Sequence, residues 1–307
     1  MKAIIFPGQG SQKAGMISEF HSNFKIVKEI LKRVDDTLNF SLSKIILNGS
    51  DEELKKTEIT QPAILTTSFA IFSVLKKEFN FDFSTIKYIA GHSLGEYSAL
   101  VASGSLSLED GVTLVHQRGK LMQAAVPAGK GAMLAVLGLD IDELNSLINK
   151  FDTKKGVCEI ANDNSPGQII LSGSKETLID FSNNLKVEKK KSIFLPVSAP
   201  FHSSLMKPAA ENMKLLLQKI EFKNQNLQLI SNVTALPVEK DGNIKDLLYK
   251  QIFSQVRWRE TVEYMIKNNT NDFIEIGPGK VLSGLVKRTN SKVLTRSLTK
   301  IDDIKNL

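Results

Sequence analysis

The stretch Tyr88-Ile89-Ala90-Gly91-His92-Ser93-Leu94-Gly95-Glu96-Tyr97-Ser98-Ala99-Leu100-Val101-Ala102 decides the fold. Residues 88–90 read as a short apolar strand and 96–102 as a helix. Between them, Gly91-His92-Ser93-Leu94-Gly95 fits G-x-S-x-G, a sharp strand-to-helix turn that lifts a serine hydroxyl above the end of a sheet. Gly91 and Gly95 remove side chains where strand and helix pass closely. The Leu94 N–H then points at the oxyanion formed when Ser93 attacks a carbonyl, and the positive end of the helix adds to that field.

Working outward, strands and helices alternate. Strands are expected over 2–6, 227–231 and 272–276, and helices over 20–34, 61–79, 108–126, 205–220, 244–253, 258–267 and 279–288. Pro62 suits the first turn of the second of these helices. Such alternation implies an α/β domain with a mainly parallel, doubly wound sheet. The middle differs: strand 132–137, helix 141–150, strands 157–161 and 168–171, helix 175–185 and strand 192–196. That order is βαββαβ, a ferredoxin-like unit. The expected division is a large catalytic domain of 1–127 and 198–307, with an inserted ferredoxin-like subdomain over 128–197.

A nucleophilic serine needs a base. Of four histidines, His21 reads as a surface residue and His116 as a structural or surface residue in a helix. His92 adjoins Ser93 and points elsewhere, which fits a supporting role. His202 lies in a loop between a strand and a helix, where α/β folds hold catalytic groups. It is the candidate base, against the plainer reading of an incidental histidine in a capping loop. Arg118 has Leu114, Val115, Leu121 and Met122 at helical spacing around it, all apolar. A charge on that stripe needs an anion. Two readings stand: an internal ion pair with a protein carboxylate, or a substrate carboxylate gripped by the planar guanidinium.

Six motifs occur in order: Phe6-Pro7-Gly8-Gln9-Gly10-Ser11-Gln12, Gly91-His92-Ser93-Leu94-Gly95-Glu96, Gln117-Arg118-Gly119, Asn164-Ser165-Pro166-Gly167-Gln168, Pro200-Phe201-His202-Ser203 and Glu275-Ile276-Gly277-Pro278-Gly279. With them the chain resembles, over almost its whole length, the malonyl-CoA:acyl carrier protein transacylase family. The resemblance implies a hydrolase-like α/β domain with a ferredoxin-like insertion, Ser93 as nucleophile and His202 as base. It implies Gln9 and Leu94 as the oxyanion N–H groups and Arg118 as the holder of the malonyl carboxylate. It also implies a main-chain carbonyl near Gln251 that orients the histidine, on the looser match around Gln251-Ile252-Phe253 and Val256-Arg257-Trp258. Phe201 before His202 resembles the malonyl-selective pattern; methylmalonyl-selective relatives carry a smaller residue there. Asn162 and His92 are supporting candidates. One departure stands in Asn162-Asp163-Asn164, an acid where the family often has an aromatic residue, with substrate access the property it would tune.

The expected partners are malonyl-CoA and acyl carrier protein, with no cofactor, metal, nucleic acid or membrane. The expected pathway is fatty acid biosynthesis in the cytoplasm. A polyketide-pathway malonyl loader, a serine hydrolase of esterase type and an idle carrier-binding scaffold are the alternatives. Composition agrees: 307 residues, 42% hydrophobic and 24% charged, fit a globular chain and exclude disorder. No apolar run approaches the roughly 18–20 residues that span a bilayer, and the apolar N-terminal run, stopped by Pro7, is short for a signal peptide. One cysteine, Cys158, excludes a disulfide framework and a multi-cysteine zinc site; it reads as a buried strand thiol. A net charge of +7 favours an anionic partner. Gly8-Gln9-Gly10 fails the dinucleotide fingerprint, since Lys13 stands where the third glycine belongs. Gly277-Pro278-Gly279-Lys280 lacks P-loop spacing. The lysines at 186, 189, 190 and 191 read as a solvated face.

Overall fold

The computed structural model describes residues 1–151, 156–197, 199–224, 227–239 and 243–307. Position 198, the expected start of the return to the larger domain, lies outside them. Nine strands are described: β1 (Lys2–Phe6), β2 (Ile86–Gly91), β3 (Gly131–Leu137), β4 (Cys158–Ser165), β5 (Gln168–Ser174), β6 (Lys191–Phe194), β7 (Gln228–Leu229), β8 (Asp272–Ile276) and β9 (Leu294–Leu298).

Four consecutive buried residues in β1 mark a strand covered on both faces. It lies at the centre of a sheet ordered β7-β2-β1-β8-β9, and every pairing in that sheet is parallel. Alternation sends its side chains to two cores. Ile4 and Phe6 pack with residues of the helices Thr57–Glu78, Leu94–Ala102 and Leu108–Ala124. Ala3 and Ile5 pack with Trp258, Val262, Met265, Leu285 and Val286 on the other face. The second sheet is ordered β4-β5-β3-β6 and is antiparallel throughout. With the helices Ile141–Lys150 and Lys175–Val187 it forms the ferredoxin-like βαββαβ unit, around a third core of Leu134, Leu144, Leu171, Phe181 and Leu185.

Several expectations are corrected. The helix expected from 61 begins at Thr57, so Pro62 sits inside it. A proline there donates nothing to the Glu58 carbonyl four residues back, and His116 Nδ1 donates to that oxygen instead, at 2.8 Å. His116 is thus a buried structural residue. At 22 residues this helix is long and apolar enough to span a membrane by length and composition, contrary to the reading of the apolar runs. Within the protein, however, 89% of its most apolar window is buried. The helix expected over 20–34 is two, Ser18–Asn23 and Lys25–Leu38, because Phe24 is extended (φ −125°, ψ 123°) and stacks on Phe20 and Phe79. β4 runs four residues further than expected, through Asn162-Asp163-Asn164-Ser165. The strand β9 and the helices Leu42–Asn48, Asp51–Lys55 and Ile301–Lys305 had no counterpart in the sequence reading.

Candidate active site

At the end of β2 the chain reverses into the helix Leu94–Ala102 with Ser93 at φ 54°, ψ −110°. This backbone is costly for a side-chain-bearing residue, by about 1–3 kcal/mol. A Cβ on Gly91 would lie 1.9 Å from the Gly95 carbonyl, and one on Gly95 2.3 Å from the Phe6 oxygen, so the turn excludes any other residue at either place. Asn232 holds the turn from across the sheet edge: its Oδ1 accepts from Ser93 N–H at 2.7 Å and its Nδ2 donates to the Gly91 carbonyl at 2.7 Å. With the Ser93 N–H engaged, the next free amide of the helix start is that of Leu94. Neither Leu94 N–H nor Gln9 N–H makes a hydrogen bond among the described residues. Gln9, in the turn after β1, sends its side chain toward Thr57 Oγ1 at 3.5 Å. It borders a cleft of about 150 Å³ with His92, Asn164 and Gln168.

His202 Nε2 lies 2.8 Å from Ser93 Oγ, and His202 Nδ1 lies 2.8 Å from the Gln251 carbonyl oxygen. A carbonyl only accepts, so Nδ1 carries the hydrogen and Nε2 is left to accept from the serine. Burial, together with the nearby charge of Arg118, pulls the imidazole pKa down to about 3, so it is unprotonated at physiological pH with Nε2 free to accept a proton.

Arg118 is 1% exposed. Nη1 donates to Gln61 Oε1 at 2.8 Å, and Nη2 donates to Gln251 Oε1 at 3.0 Å and Ser93 Oγ at 3.1 Å. Its guanidinium lies 5.6 Å from the centre of the Tyr97 ring, and its Nε–H has no partner among the described residues. Among the described residues no carboxylate pairs with it. The internal ion pair, one of the two sequence readings, is therefore not made among the described residues; neutral oxygens hold the guanidinium beside Ser93. Gln251 joins the whole set. Its carbonyl orients His202, its Oε1 holds Arg118, and its Nε2 donates to Ser93 O at 2.9 Å and to Glu96 Oε2 at 2.7 Å.

The remaining candidates stand around this centre. Phe201 is buried in the apolar core beside His202. His92 Nε2 donates to Asn164 Oδ1 at 2.8 Å, and its ring packs against Trp258 at 5.7 Å. Asn162 is fixed by backbone pairing with Val256, and the β4 side chain that reaches the turn is Asn164. Asp163 points away to Arg259, with a contact of 2.8 Å. It ties β4 to the helix Trp258–Lys267 and does not face Ser93. The sequence reading gave no role to Gln61, Glu96 or Asn232. Each is polar and almost wholly buried, but that signal emerges only with the fold.

The acyl transferase domain family matches residues 3–304. Malonyl CoA-acyl carrier protein transacylase of Bacillus subtilis is 44% identical over 295 residues, covering 95% of this chain and 92% of its own. The crystal structure of malonyl CoA-acyl carrier protein transacylase from Clostridium perfringens superposes with a TM-score of 0.93 at 41% identity, over 99% of this chain and 95% of that one. A malonyl-transacylase solved in complex with its type II polyketide acyl-carrier protein gives 0.94 at 36% identity, over 99% and 98%. With its serine turn, histidine and buried arginine set in this fold, the chain belongs to the acyl transferase domain family and, within it, to the malonyl CoA-acyl carrier protein transacylases.

Proposed function

We propose that the enzyme moves malonyl from CoA to the phosphopantetheine thiol of acyl carrier protein through an ester on Ser93, in fatty acid biosynthesis. His202 Nε2 takes the Ser93 proton as Oγ bonds to the thioester carbonyl carbon. The N–H groups of Leu94 and Gln9 hold the oxyanion. The C–S bond then breaks, and CoA leaves as a thiol with the proton returned by His202. The carrier thiol repeats these steps in reverse: it gives its proton to His202, attacks the ester and frees Ser93. Water is the competing acceptor, so a shielded site favours transfer over hydrolysis. CoA is substrate and product, and no cofactor enters the scheme.

The observation that carries this reading is Arg118, a buried cation beside Ser93 that pairs directly with no carboxylate among the described residues. Malonyl brings a carboxylate; acetyl does not. A charged hydrogen-bonded contact contributes roughly 1.5–3 kcal/mol, or about 10–150-fold. The test is intact-mass and transfer measurement with malonyl-CoA and acetyl-CoA on the wild type, Ser93→Ala and Arg118→Ala. Ser93→Ala should carry no adduct. Arg118→Ala should lose malonyl transfer by that factor and keep or improve acetyl transfer. Equal loss on both substrates with a lowered Tm would make Arg118 a structural residue. The solved complex with a polyketide acyl-carrier protein supports a second reading, a polyketide loader of the same chemistry; parallel assays with the two kinds of carrier separate them.

A further inference from the structure

One buried acid stands behind the arginine. Glu96, in the first turn of the helix after Ser93, is 1% exposed. Its Oε2 accepts from Gln251 Nε2 at 2.7 Å and from Asn232 N–H at 3.3 Å. The same Gln251 amide accepts from Arg118 through its other end, at 3.0 Å. Arg118 can only donate and the Ser93 carbonyl can only accept, so the amide has one permitted orientation whatever the state of Glu96. A cation and an anion, both buried, thus share one neutral bridge.

We propose that Glu96 is the counter-charge of Arg118 and gains a proton when a malonyl carboxylate docks there, making the preference for a carboxylate-bearing acyl group proton-linked. This rests on Arg118 receiving that carboxylate. In the free enzyme the two buried charges cancel. An ionised malonyl group places a second anion against one cation that is itself 1% exposed. Leaving a buried charge uncompensated is costly, and neutralising it by protonation is the usual outcome. Malonyl is in direct contact with the guanidinium and keeps its charge; Glu96, one amide away, gives up its own.

The surroundings of Glu96 permit the change. Among the described residues, Arg118, from the helix Leu108–Ala124, is the one charged group acting on it; its neutral neighbours are the Gln251 amide, the Asn232 N–H and the Ser231 hydroxyl. Tyr97 on its own helix is held neutral, its pKa pushed up to about 12 by burial. The imidazoles of His92 and His202 are also held neutral by burial. The hydrogen bonds from Gln251 and Asn232 both fall on Oε2, so Oε1 can carry the proton. The Ser231 hydroxyl, donor and acceptor alike, serves either state. Burial already raises the Glu96 pKa to about 7, so a modest further push suffices. The proton comes from solvent as malonyl docks and returns there once malonyl leaves on the carrier thiol.

Linkage fixes the sign. Above about pH 7 free Glu96 is ionised, so malonyl docking takes up a proton and weakens as pH rises, approaching about tenfold per unit. Acetyl brings no second anion and needs no proton. Both thioesters share the CoA phosphates, so the ratio of their acylation kcat/KM values cancels the titration of those groups. The experiment follows that ratio, malonyl over acetyl, from about pH 6.5 to about pH 8.5 for the wild type and Glu96→Gln. The wild-type ratio should fall by on the order of tenfold over the upper pH unit, and the Glu96→Gln ratio should be flat. A flat wild-type ratio, or a slope that survives Glu96→Gln, overturns the proposal. A second measurement does not depend on that variant folding. Calorimetry of malonyl-CoA and acetyl-CoA binding to Ser93→Ala, in buffers of different ionisation enthalpy, should show uptake of most of one proton for malonyl-CoA alone at about pH 8. Equal uptake for both overturns the proposal. If no malonyl adduct forms on wild-type Ser93, the transfer reading itself has failed; if it forms and the ratio is flat, only the proton linkage has.

Discussion

Ser93 and His202 both adopt positive φ, 54° and 59°, which side-chain-bearing residues rarely do. Two strained residues facing each other across 2.8 Å persist only where surroundings over-determine them. Here Asn232 grips the turn. On the other side, Ser203 Oγ donates to the Pro200 carbonyl at 2.7 Å and Glu159 binds both the N–H and the Oγ of Ser204 at 2.7 Å. The histidine they fix is kept uncharged by burial and by Arg118, with a pKa of about 3. A base at its ordinary value near 6.5 would lose half its activity there as pH falls. This one should hold acetyl-CoA acylation level from about pH 8 to about pH 5, with the fall only in stronger acid. His202→Ala should lower the rate by about 10²–10⁴. A wild-type midpoint near 6.5, in single-turnover acylation against pH, would contradict the shifted base. At this scale the serine turn was legible because glycines at fixed offsets report a turn by themselves. Glu96 and Asn232 were not, since their partners lie more than a hundred residues away.

Among the elements, the contact of the helices Thr57–Glu78 and Leu108–Ala124 sets the arginine. Gly119 is the point of closest approach. A Cβ there would lie 2.6 Å from Glu58 Cα and 2.7 Å from the Thr57 carbonyl oxygen, both backbone atoms that cannot swing aside. Beside it, Arg118 reaches Gln61 on the facing helix at 2.8 Å. In an exposed helix, glycine to alanine stabilises by roughly 0.5–1 kcal/mol. Gly119→Ala should do the opposite, costing about 1–3 kcal/mol by overpacking. By driving the helices apart it should also lower malonyl transfer more than acetyl transfer. A raised Tm with an unchanged malonyl-to-acetyl ratio would refute the close approach. Apolar periodicity revealed most of these helices and the ferredoxin-like order, because burial of one face dictates it. It failed on β4, whose continuation Asn162-Asp163-Asn164-Ser165 is buried yet polar. The Asp163 and Asn164 side chains face hydrogen-bonding partners and not an apolar core, so no alternation announces the strand. It failed also at Pro62, where the missing N–H is compensated by His116 from another helix.

Across the whole molecule, β4 is the strut between the two sheets. Its residues reach the His202 loop through Glu159, the segment after Gln251 through the pairing of Asn162 with Val256, the helix Trp258–Lys267 through Asp163, and the serine turn through Asn164. The relation of the ferredoxin-like unit to the catalytic centre therefore depends on buried polar contacts, which are worth most when complete. The Asp163–Arg259 pair shows how loss would propagate. The Asp163 side chain is 1% exposed, against 21% for Arg259, and Arg259 has a second partner in Glu263 at 2.8 Å. The two ends are thus unequal. Asp163→Asn leaves Arg259 paired with Glu263 and near water, so its cost should be about 1 kcal/mol. Arg259→Met strands a buried carboxylate, which costs about 3–5 kcal/mol. Burial holds the Asp163 pKa above the ordinary value even with Arg259 in place, and without it the carboxyl should move higher still. A carboxyl with a raised folded pKa binds its proton more tightly folded than unfolded, so the penalty in Arg259→Met should shrink as pH falls through that value and be largest in mild alkali. Both variants loosen the strut beside the site, so both should raise hydrolysis of the malonyl ester relative to transfer, Arg259→Met the more. Urea unfolding of the two variants at about pH 5 and about pH 8, with the ratio of hydrolysis to transfer, tests the argument. Equal costs at both pH values for both variants would place the joining of the two sheets in the apolar contacts alone.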